Sequence, residues 1–331
     1  MTELTKYDIT IVGGGPAGMF AAFYAGMRNA KTQLLESLED LGGQVNALYP
    51  EKKILDVAGF SHIKGRDLVQ RLKEQLADFE TDIYTKSPVT DLKPQDGGYL
   101  ITAGGRQSWT KTVIIATGNG AFTPRKLTVD GADAVEGTHL FYTAADLAHF
   151  KGHHVMVAGG GDAAIDQALM LNEVAQHVTL IHRRDQFRAL EHSVDVLDAS
   201  TVTVETPFLI KALSETPDNQ ISVTLKRVKT ENELHDEVVD DLLVSYGFTS
   251  DNRVMADWQV KFEEDRRLLA VDRTMATNQP GIYAIGDGVN YEGKQALIAT
   301  AFGEAPIAVS AIMNRFFPDR RSPLHSTMIS Q

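Results

Sequence analysis

The 331-residue sequence contains no cysteine, which excludes disulfides, thiolate nucleophiles and cysteine-ligated zinc or iron–sulfur centres. Any redox chemistry therefore belongs to a bound cofactor. No apolar run approaches the roughly 18 residues of a spanning helix. The opening MTELTKYDITIVGG lacks the basic and apolar blocks of a secretory signal. A cytoplasmic protein with no membrane partner is expected. Positive charge is also short, since 32 Lys and Arg face 44 Asp and Glu for a formal net charge of −12. That balance argues against a nucleic-acid partner, because phosphate neutralisation needs clustered cations over a broad face. Histidines at metal-ligand spacing are missing as well; His153 and His154 open a strand, and no metal is expected. What remains, 43% hydrophobic and 23% charged with a mean hydropathy of −0.17, is an ordinary globular composition. A chain of this length usually divides into two domains.

What the chain has is glycine in one arrangement used twice: VGGGPAGMFAA at 12–22 is echoed by AGGGDAAIDQA at 158–168. In the first copy DITIV (8–12) is a short apolar, β-branched strand, and 18–28 follows helical spacing. Gly13, Gly15 and Gly18 supply the tight turn, the close backbone approach to a pyrophosphate and the close helix–strand packing, while the helix N-terminus offers donors and positive potential. A second strand, KTQLL (31–35), ends in Glu36, whose carboxylate can accept both hydroxyls of an adenosine ribose. The competing reading is an unrelated glycine turn with a solvated Glu36.

In the second copy HHVMVAG (153–159) leads into Gly159, Gly161 and Ala164, with an amphipathic helix over 162–172. At the offset from Gly159 that Glu36 holds from Gly13 stands His182, ending VTLIH. The acid is gone, and Arg183, Arg184 and Arg188 place guanidinium forks where a 2′-phosphate would sit. This favours NADPH over NADH; a solvated charged run is the alternative.

Two unlike nucleotide sites suggest electron transfer between a tightly held flavin, FAD at the acid-ended turn, and diffusible NADP(H). VIIATG (113–118) and GIYAIGD (281–287) read as strands of the first domain. Asp287 is placed to bind flavin-side hydroxyls or simply to cap its turn. Lys294 to Ile312 reads as a long apolar helix whose first amides, around Gln295, could face the flavin. GRDLVQRLKEQLADFE (65–80) reads as an amphipathic helix, and ISVTLKRV and DLLVSYGF as strands.

The order VGGGPAG, Glu36, ATG, GGGDAA, HRRDQFRA, IYAIGD resembles the low-molecular-weight thioredoxin reductase family over nearly the whole chain. The resemblance implies an α/β fold of two Rossmann-like dinucleotide-binding domains of the three-layer ββα type, with an NADPH domain (118–249) inserted into an FAD domain (1–117 and 250–331), and a homodimer. That family carries a Cys-x-x-Cys pair before its second glycine turn, but here Tyr142 and Ala145 hold the two positions, so a dithiol relay cannot operate. GGQVNALYPEKKILDVAGF (42–60) and RSPLHSTMISQ (321–331) look like the cysteine-free branch, the thioredoxin-reductase-like ferredoxin–NADP+ reductases. That branch implies Glu36, Gln44, Tyr49, Val89, Phe122, Asp287 and Thr327 around FAD, with Tyr49 stacked on one flavin face and His325 on the other. No side chain is implied as acid or base. A ferredoxin or flavodoxin-like one-electron carrier is the implied partner. A negatively charged carrier would need a basic patch, either Lys52, Lys53, Lys64 and Arg66 or Arg315, Arg320 and Arg321. Two other functions remain open: an NADPH-dependent reductase of quinones, flavins or other small molecules, and a nucleotide-binding sensor without turnover.

Overall fold

The computed structural model describes residues 4–230, 233–251 and 253–320, with the backbone alone for residues 121, 122, 250, 251, 253 and 254. Two units are built from it. The first holds residues up to Ala47, Ile54–Ala121 and the chain from Ser250 on; the second holds Leu48–Lys53 and Phe122–Thr249.

In the first unit the strand Lys6–Val12 pairs in parallel with Thr32–Leu35 on one side and Arg106–Ile115 on the other. Thr81–Tyr84 extends the sheet beyond Thr32–Leu35. Arg106–Ile115 pairs antiparallel with Gly98–Ala103 along its first half and parallel with Ile282–Ala284 along its second, and Val89–Gln95, antiparallel to Gly98–Ala103, completes a seven-stranded sheet. Val12 stands level with Leu35 and with Ile115, and Ala284 with Ile115. Because these parallel strands end together, the turns that follow them gather at one edge, where α/β folds bind ligands. Their apolar runs bury both faces. Val12, Leu35, Val113, Ile115 and Ile282 pack with Leu92 and Trp258 on one side, and the helices Pro16–Met27, Gly65–Leu76 and Ile298–Phe316 belong to the same unit.

The second unit contains a five-stranded parallel sheet ordered Leu140–Phe141, Asp241–Ser245, His154–Gly159, His177–Ile181, Thr203–Glu205. Alternation along its strands serves two cores. Val155, Val157, Leu180 and Leu243 pack with Ile165, Ala168 and Leu171 of the helix Asp162–Leu171. Met156, Ala158, Ile181, Leu242 and Val244 pack with Ile210, Val223, Leu225 and Val239 of an antiparallel sheet, Phe208–Glu215, Ile221–Arg227 and Leu234–Val239. Helix, parallel sheet and antiparallel sheet make the three-layer ββα arrangement of a Rossmann-like domain.

Three sequence expectations need correction. The helix expected over 65–80 ends at Leu76, the last residue of its buried Leu68, Val69, Leu72, Leu76 stripe. DLLVSYGF is not one strand but two, Asp241–Ser245 and Phe248–Asp251, because Gly247 adopts a left-handed φ of 83° that breaks the pleat. The last helix runs Ile298–Phe316 instead of Lys294 to Ile312. Lys294 and Gln295 precede it, and Leu297, its N-cap, is extended. The two-layer core predicts that Leu242→Ala, at a fully buried site, lowers the unfolding free energy by about 2–5 kcal/mol. Leu234→Ala, at a site 54% exposed, should lower it by less than about 0.5 kcal/mol. Urea titration followed by circular dichroism measures both, and similar losses would contradict the packing described.

Candidate functional site

At the first glycine turn the three glycines are required for different reasons. A Cβ on Gly13, whose φ is 107°, would lie 2.4 Å from the Ala116 carbonyl oxygen, and one on Gly18 would lie 1.8 Å from the Gly13 carbonyl oxygen. Strand, turn and helix are thus in backbone contact. Gly15, the N-cap of Pro16–Met27, is different: its Cβ would meet only the Gly43 Cα, at 4.0 Å. The protein's own packing does not demand glycine there, and the space left above a helix N-terminus is what a pyrophosphate needs. Glu36 follows the next strand and is only 4% exposed. Its Oε2 accepts the Gly14 N–H at 2.6 Å, and its Oε1 accepts the Leu38 N–H at 2.8 Å and the Ser37 hydroxyl at 3.1 Å. A carboxylate so fixed retains one acceptor site on Oε2 for a ligand hydroxyl, and rotation of the Ser37 hydroxyl would free a second on Oε1.

Other predicted residues converge on this edge. Gly42 N–H donates to the Gly14 carbonyl at 2.8 Å, which sets Gln44, in the short helix Gly43–Ala47, beside the turn. Asp287 lies in the turn Gly286–Gly288, where a Cβ on Gly286 would be 3.2 Å from Ala17 Cβ and one on Gly288 would be 2.5 Å from the Gly118 carbonyl oxygen. Thr117 Oγ1, one residue before Gly118, is buried without a hydrogen-bond partner. Val89 is buried, two residues past Ser87, whose N–H donates to the Glu36 carbonyl at 2.8 Å. An orphaned hydroxyl, an open glycine and a held carboxylate together fit an adenine dinucleotide.

The sequence reading missed what supports Asp287. Glu304, 2% exposed in the last helix, accepts the Gly286 N–H at 2.6 Å and the Tyr291 hydroxyl at 2.7 Å, and forms a buried ion pair with Lys294. Its only sequence signal is a charged residue in line with the buried Ala301, Ala305 and Ala308. Burial, reinforced by the hydrogen bond to Glu304, pushes the Tyr291 hydroxyl up to about 12. Asp287 reaches solvent, yet the protein around its carboxyl raises its pKa; the Glu304 charge acts in the same sense and Lys294 against it.

The second turn repeats the plan with a different end. A Cβ on Gly159 would meet Ala164 Cβ at 2.6 Å and the Ser245 carbonyl oxygen at 2.7 Å, whereas one on Gly161, the N-cap of Asp162–Leu171, would meet only the Arg188 carbonyl oxygen at 3.7 Å. Where the first turn has a carboxylate, this one has the His182 ring, 2.1 Å from a Cβ built on Gly160 and stacked on Phe187 at 5.5 Å between centroids. Burial lowers its pKa, and the charges of Arg183 and Arg184 lower it further, so the ring is neutral near pH 7. The loop after it is stitched down, Arg188 N–H donating to the Gly160 carbonyl at 2.7 Å and Leu190 N–H to Asp162 Oδ1 at 2.9 Å. Arg183, Arg184 and Arg188 are exposed, and none is paired with a carboxylate among the described residues. Tyr246, which the sequence reading passed over, follows Ser245 and is close enough to Arg183 for that charge to act on its hydroxyl.

Residues 7–305 match the family described as pyridine nucleotide-disulphide oxidoreductase. The chain belongs to that family. A protein of Levilactobacillus brevis named ferredoxin–NADP reductase is 58% identical over 100% of this chain and 99% of its own length. A protein of the same name from Lactiplantibacillus plantarum is 56% identical over 98% of each. The thioredoxin reductase of Lactococcus lactis, a solved structure, superposes with a TM-score of 0.79 at 30% identity, over 93% of this chain and 98% of that one.

In this pyridine nucleotide-disulphide oxidoreductase the cysteine positions of its thioredoxin reductase kin hold committed or inert groups. Tyr142 packs on the core between the two sheets of its unit, its hydroxyl accepting the Leu127 N–H at 3.2 Å, and Ala145 is exposed. Tyr49 belongs with the second unit and lies under Lys52, 5.8 Å from ring centroid to Nζ. Gln295 is exposed ahead of the last helix, so its amide is not among that helix's N-terminal donors. His325 and Thr327 lie outside the described residues, and of Phe122 only the backbone is described, in the strand Ala121–Pro124. The basic patches are largely paired: Lys52 with Asp166 at 2.6 Å, Lys53 with Glu173 at 2.8 Å and Arg320 with Asp8 at 2.9 Å. Arg321 lies outside the described residues. No described helix is long and apolar enough to cross a membrane.

The different demands at the glycines generate a prediction. Gly15→Ala should leave the thermal midpoint of the ligand-free chain within about 2 °C, since it disturbs no packing, and should abolish retention of the bound dinucleotide through purification. Gly18→Ala should lower both. Equal effects on both properties from the two variants would refute the assignment of Gly15 to ligand approach.

Proposed function

We propose that the chain is a ferredoxin–NADP+ reductase, a flavoprotein that passes electrons between NADPH and ferredoxin or a flavodoxin-like carrier with no protein sulfur between them. The observation that carries this is the pairing of a carboxylate-ended glycine turn with an arginine-ended one in a chain whose dithiol positions are Tyr142 and Ala145. Glu36 takes the adenosine ribose of FAD, the amides above Gly15 its pyrophosphate, and Asp287 its flavin-side hydroxyls. Gln44, Tyr49, Val89, Phe122 and Thr327 complete the surround, and Tyr49 and His325 cover the two faces of the ring. In this reading the FAD domain is 1–117 with 250–331, the NADPH domain is 118–249, and the protein is a cytoplasmic homodimer.

When bound, the flavin accepts a hydride from reduced nicotinamide and gives up its electrons singly, which is what links a two-electron donor to a one-electron acceptor. The chain's own task is positioning. Arg183, Arg184 and Arg188 hold the 2′-phosphate by charge-assisted hydrogen bonds from side chains without competing carboxylates, and neutral His182 adds no repulsion to the stacked Phe187 platform. Glu304 and Lys294 hold the Asp287 turn from beneath, so the site rests on a buried, mutually satisfied pair.

Hydrogen bonds to charged groups contribute about 1.5–3 kcal/mol each. Arg183→Ala should therefore raise KM for NADPH by about 10- to 150-fold while changing KM for NADH less than about threefold. Steady-state dye reduction with each nucleotide measures this, and parallel losses for both would remove the 2′-phosphate assignment. The function is tested by mixing the purified protein with NADPH without oxygen: bleaching of the flavin band followed by ferredoxin reduction is expected. An unchanged spectrum would favour the silent sensor, and quinone reduction without ferredoxin reduction the small-molecule reductase. The ratio of ferredoxin to dye turnover should fall as ionic strength rises, because docking is electrostatic and dye access is not.

A further inference from the structure

The interlayer space of the second unit changes character along its length. Strand alternation that turns Met156, Ala158 and Ile181 toward the antiparallel sheet turns His154, Thr179 and Glu205 the same way, and the alternation that turns Val239 inward also brings in His235 and Glu237. The apolar core thus ends in a polar cluster. Thr179 Oγ1 donates to Glu237 Oε1 at 2.9 Å, and His154 Nε2 lies 3.3 Å from the same oxygen. Two carboxylate oxygens are not provided for: Glu205 Oε2 and Glu237 Oε2 are both shielded from solvent and both lack a hydrogen-bond partner. His235 Nε2 comes within 3.3 Å of Glu205 Oε2 without making a hydrogen bond to it.

A buried carboxylate oxygen with no hydrogen-bond donor is costly, and a cation held between Glu205 and Glu237 would satisfy both. We propose that Glu205, His235 and Glu237 form a binding site for a divalent first-row transition ion of the zinc class. One atom from each of the three lies within 4.8 Å of the others. Ligands about 2.0–2.2 Å from one tetrahedral ion stand roughly 3.4 Å apart, so the His235–Glu205 contact is already at that spacing and the remainder requires only small side-chain rotations. Mixed imidazole and carboxylate donors suit zinc and its neighbours better than calcium or magnesium, which take oxygen sets.

A second group, His149, His153 and Asp241, is also compact, but Asp241 is already satisfied: its Oδ1 is 3.2 Å from His149 Nε2 and its Oδ2 is 2.6 Å from His153 Nδ1. It has no stranded oxygen, and it serves as an internal control. The proposed ion would also tie down Glu205, whose carbonyl accepts the His182 N–H at 3.1 Å, at the start of the arginine loop.

Isothermal titration calorimetry of the full-length flavoprotein, stripped with chelator and titrated with zinc chloride, tests the site. One ion per chain is expected, with binding weakened at least tenfold in Glu237→Gln and in His235→Gln, the latter at a half-exposed edge-strand position that tolerates change. His149→Ala should bind like the parent. Absence of binding by the parent, binding unaltered in both Glu237→Gln and His235→Gln, or loss of binding in His149→Ala would each overturn the proposal.

Discussion

The hydrogen bond from the Gly14 N–H to the buried Glu36 carboxylate is the contact on which the first site depends. It joins the glycine turn to the end of the neighbouring strand, and it places a charge where only a ligand with hydroxyl donors can use it. The geometry that permits it comes from parallel strands finishing level, Val12 beside Leu35. A one-residue slip would turn Glu36 to the other side of the sheet edge and leave the turn without its acid. The glycines then follow from the same constraint, since strand, turn and helix can approach so closely only without Cβ atoms at Gly13 and Gly18.

The second unit shows what happens when that contact is changed and the scaffold kept. Ala164 stands where the first copy needs Gly18, and its methyl group is what a side chain on Gly159 would meet at 2.6 Å. His182 replaces the carboxylate, and its ring fills the space against Gly160 that Glu36 bridges with a hydrogen bond in the first copy. A neutral aromatic cannot order a diol as a carboxylate does, but it leaves the field of three unpaired arginines undiminished. On the proposed assignment, selectivity between the two sites is electrostatic and local, set on a net acidic chain by which residue ends one strand.

Much of this was legible in the sequence because it is encoded within short windows. Strand, glycines, helix and terminal residue fall inside one supersecondary unit, so Gly13, Gly15, Gly18, Glu36, Gly159, Gly161, His182 and the arginines could be found by spacing alone. What escaped was carried by distant residues or by exceptions to period. Glu304 meets Gly286 and Lys294 only when the last helix docks, and nothing in an alanine-rich run announces that one acid is buried. Leu48–Lys53 joins the second unit through Lys52, which finds Asp166 on the helix, and Lys53, which finds Glu173 just after it, and that makes the proposed docking lysines internal ion pairs. The break at Tyr246–Gly247 was hidden inside an apparently continuous strand, although a glycine followed by renewed β-branched spacing could have been read as a turn. His235 and Glu237 belong to an edge strand, LHDEVV, in which nothing local sets them apart from surface residues.

The loss of sulfur is better understood as a packing commitment than as a deletion. Tyr142 occupies a dithiol position with a ring against the interlayer core and a hydroxyl satisfied by Leu127 N–H, so reverting it to cysteine would open a cavity and strand a backbone donor. Once that position is structural, no side chain in the chain can hold an electron pair between donor and acceptor. On the proposed function, the route from reductant to acceptor then has a single station, the bound cofactor. How far that station is open to a partner depends on what covers it, and control passes from the potential of a disulfide to the steric and electrostatic surroundings of one ring.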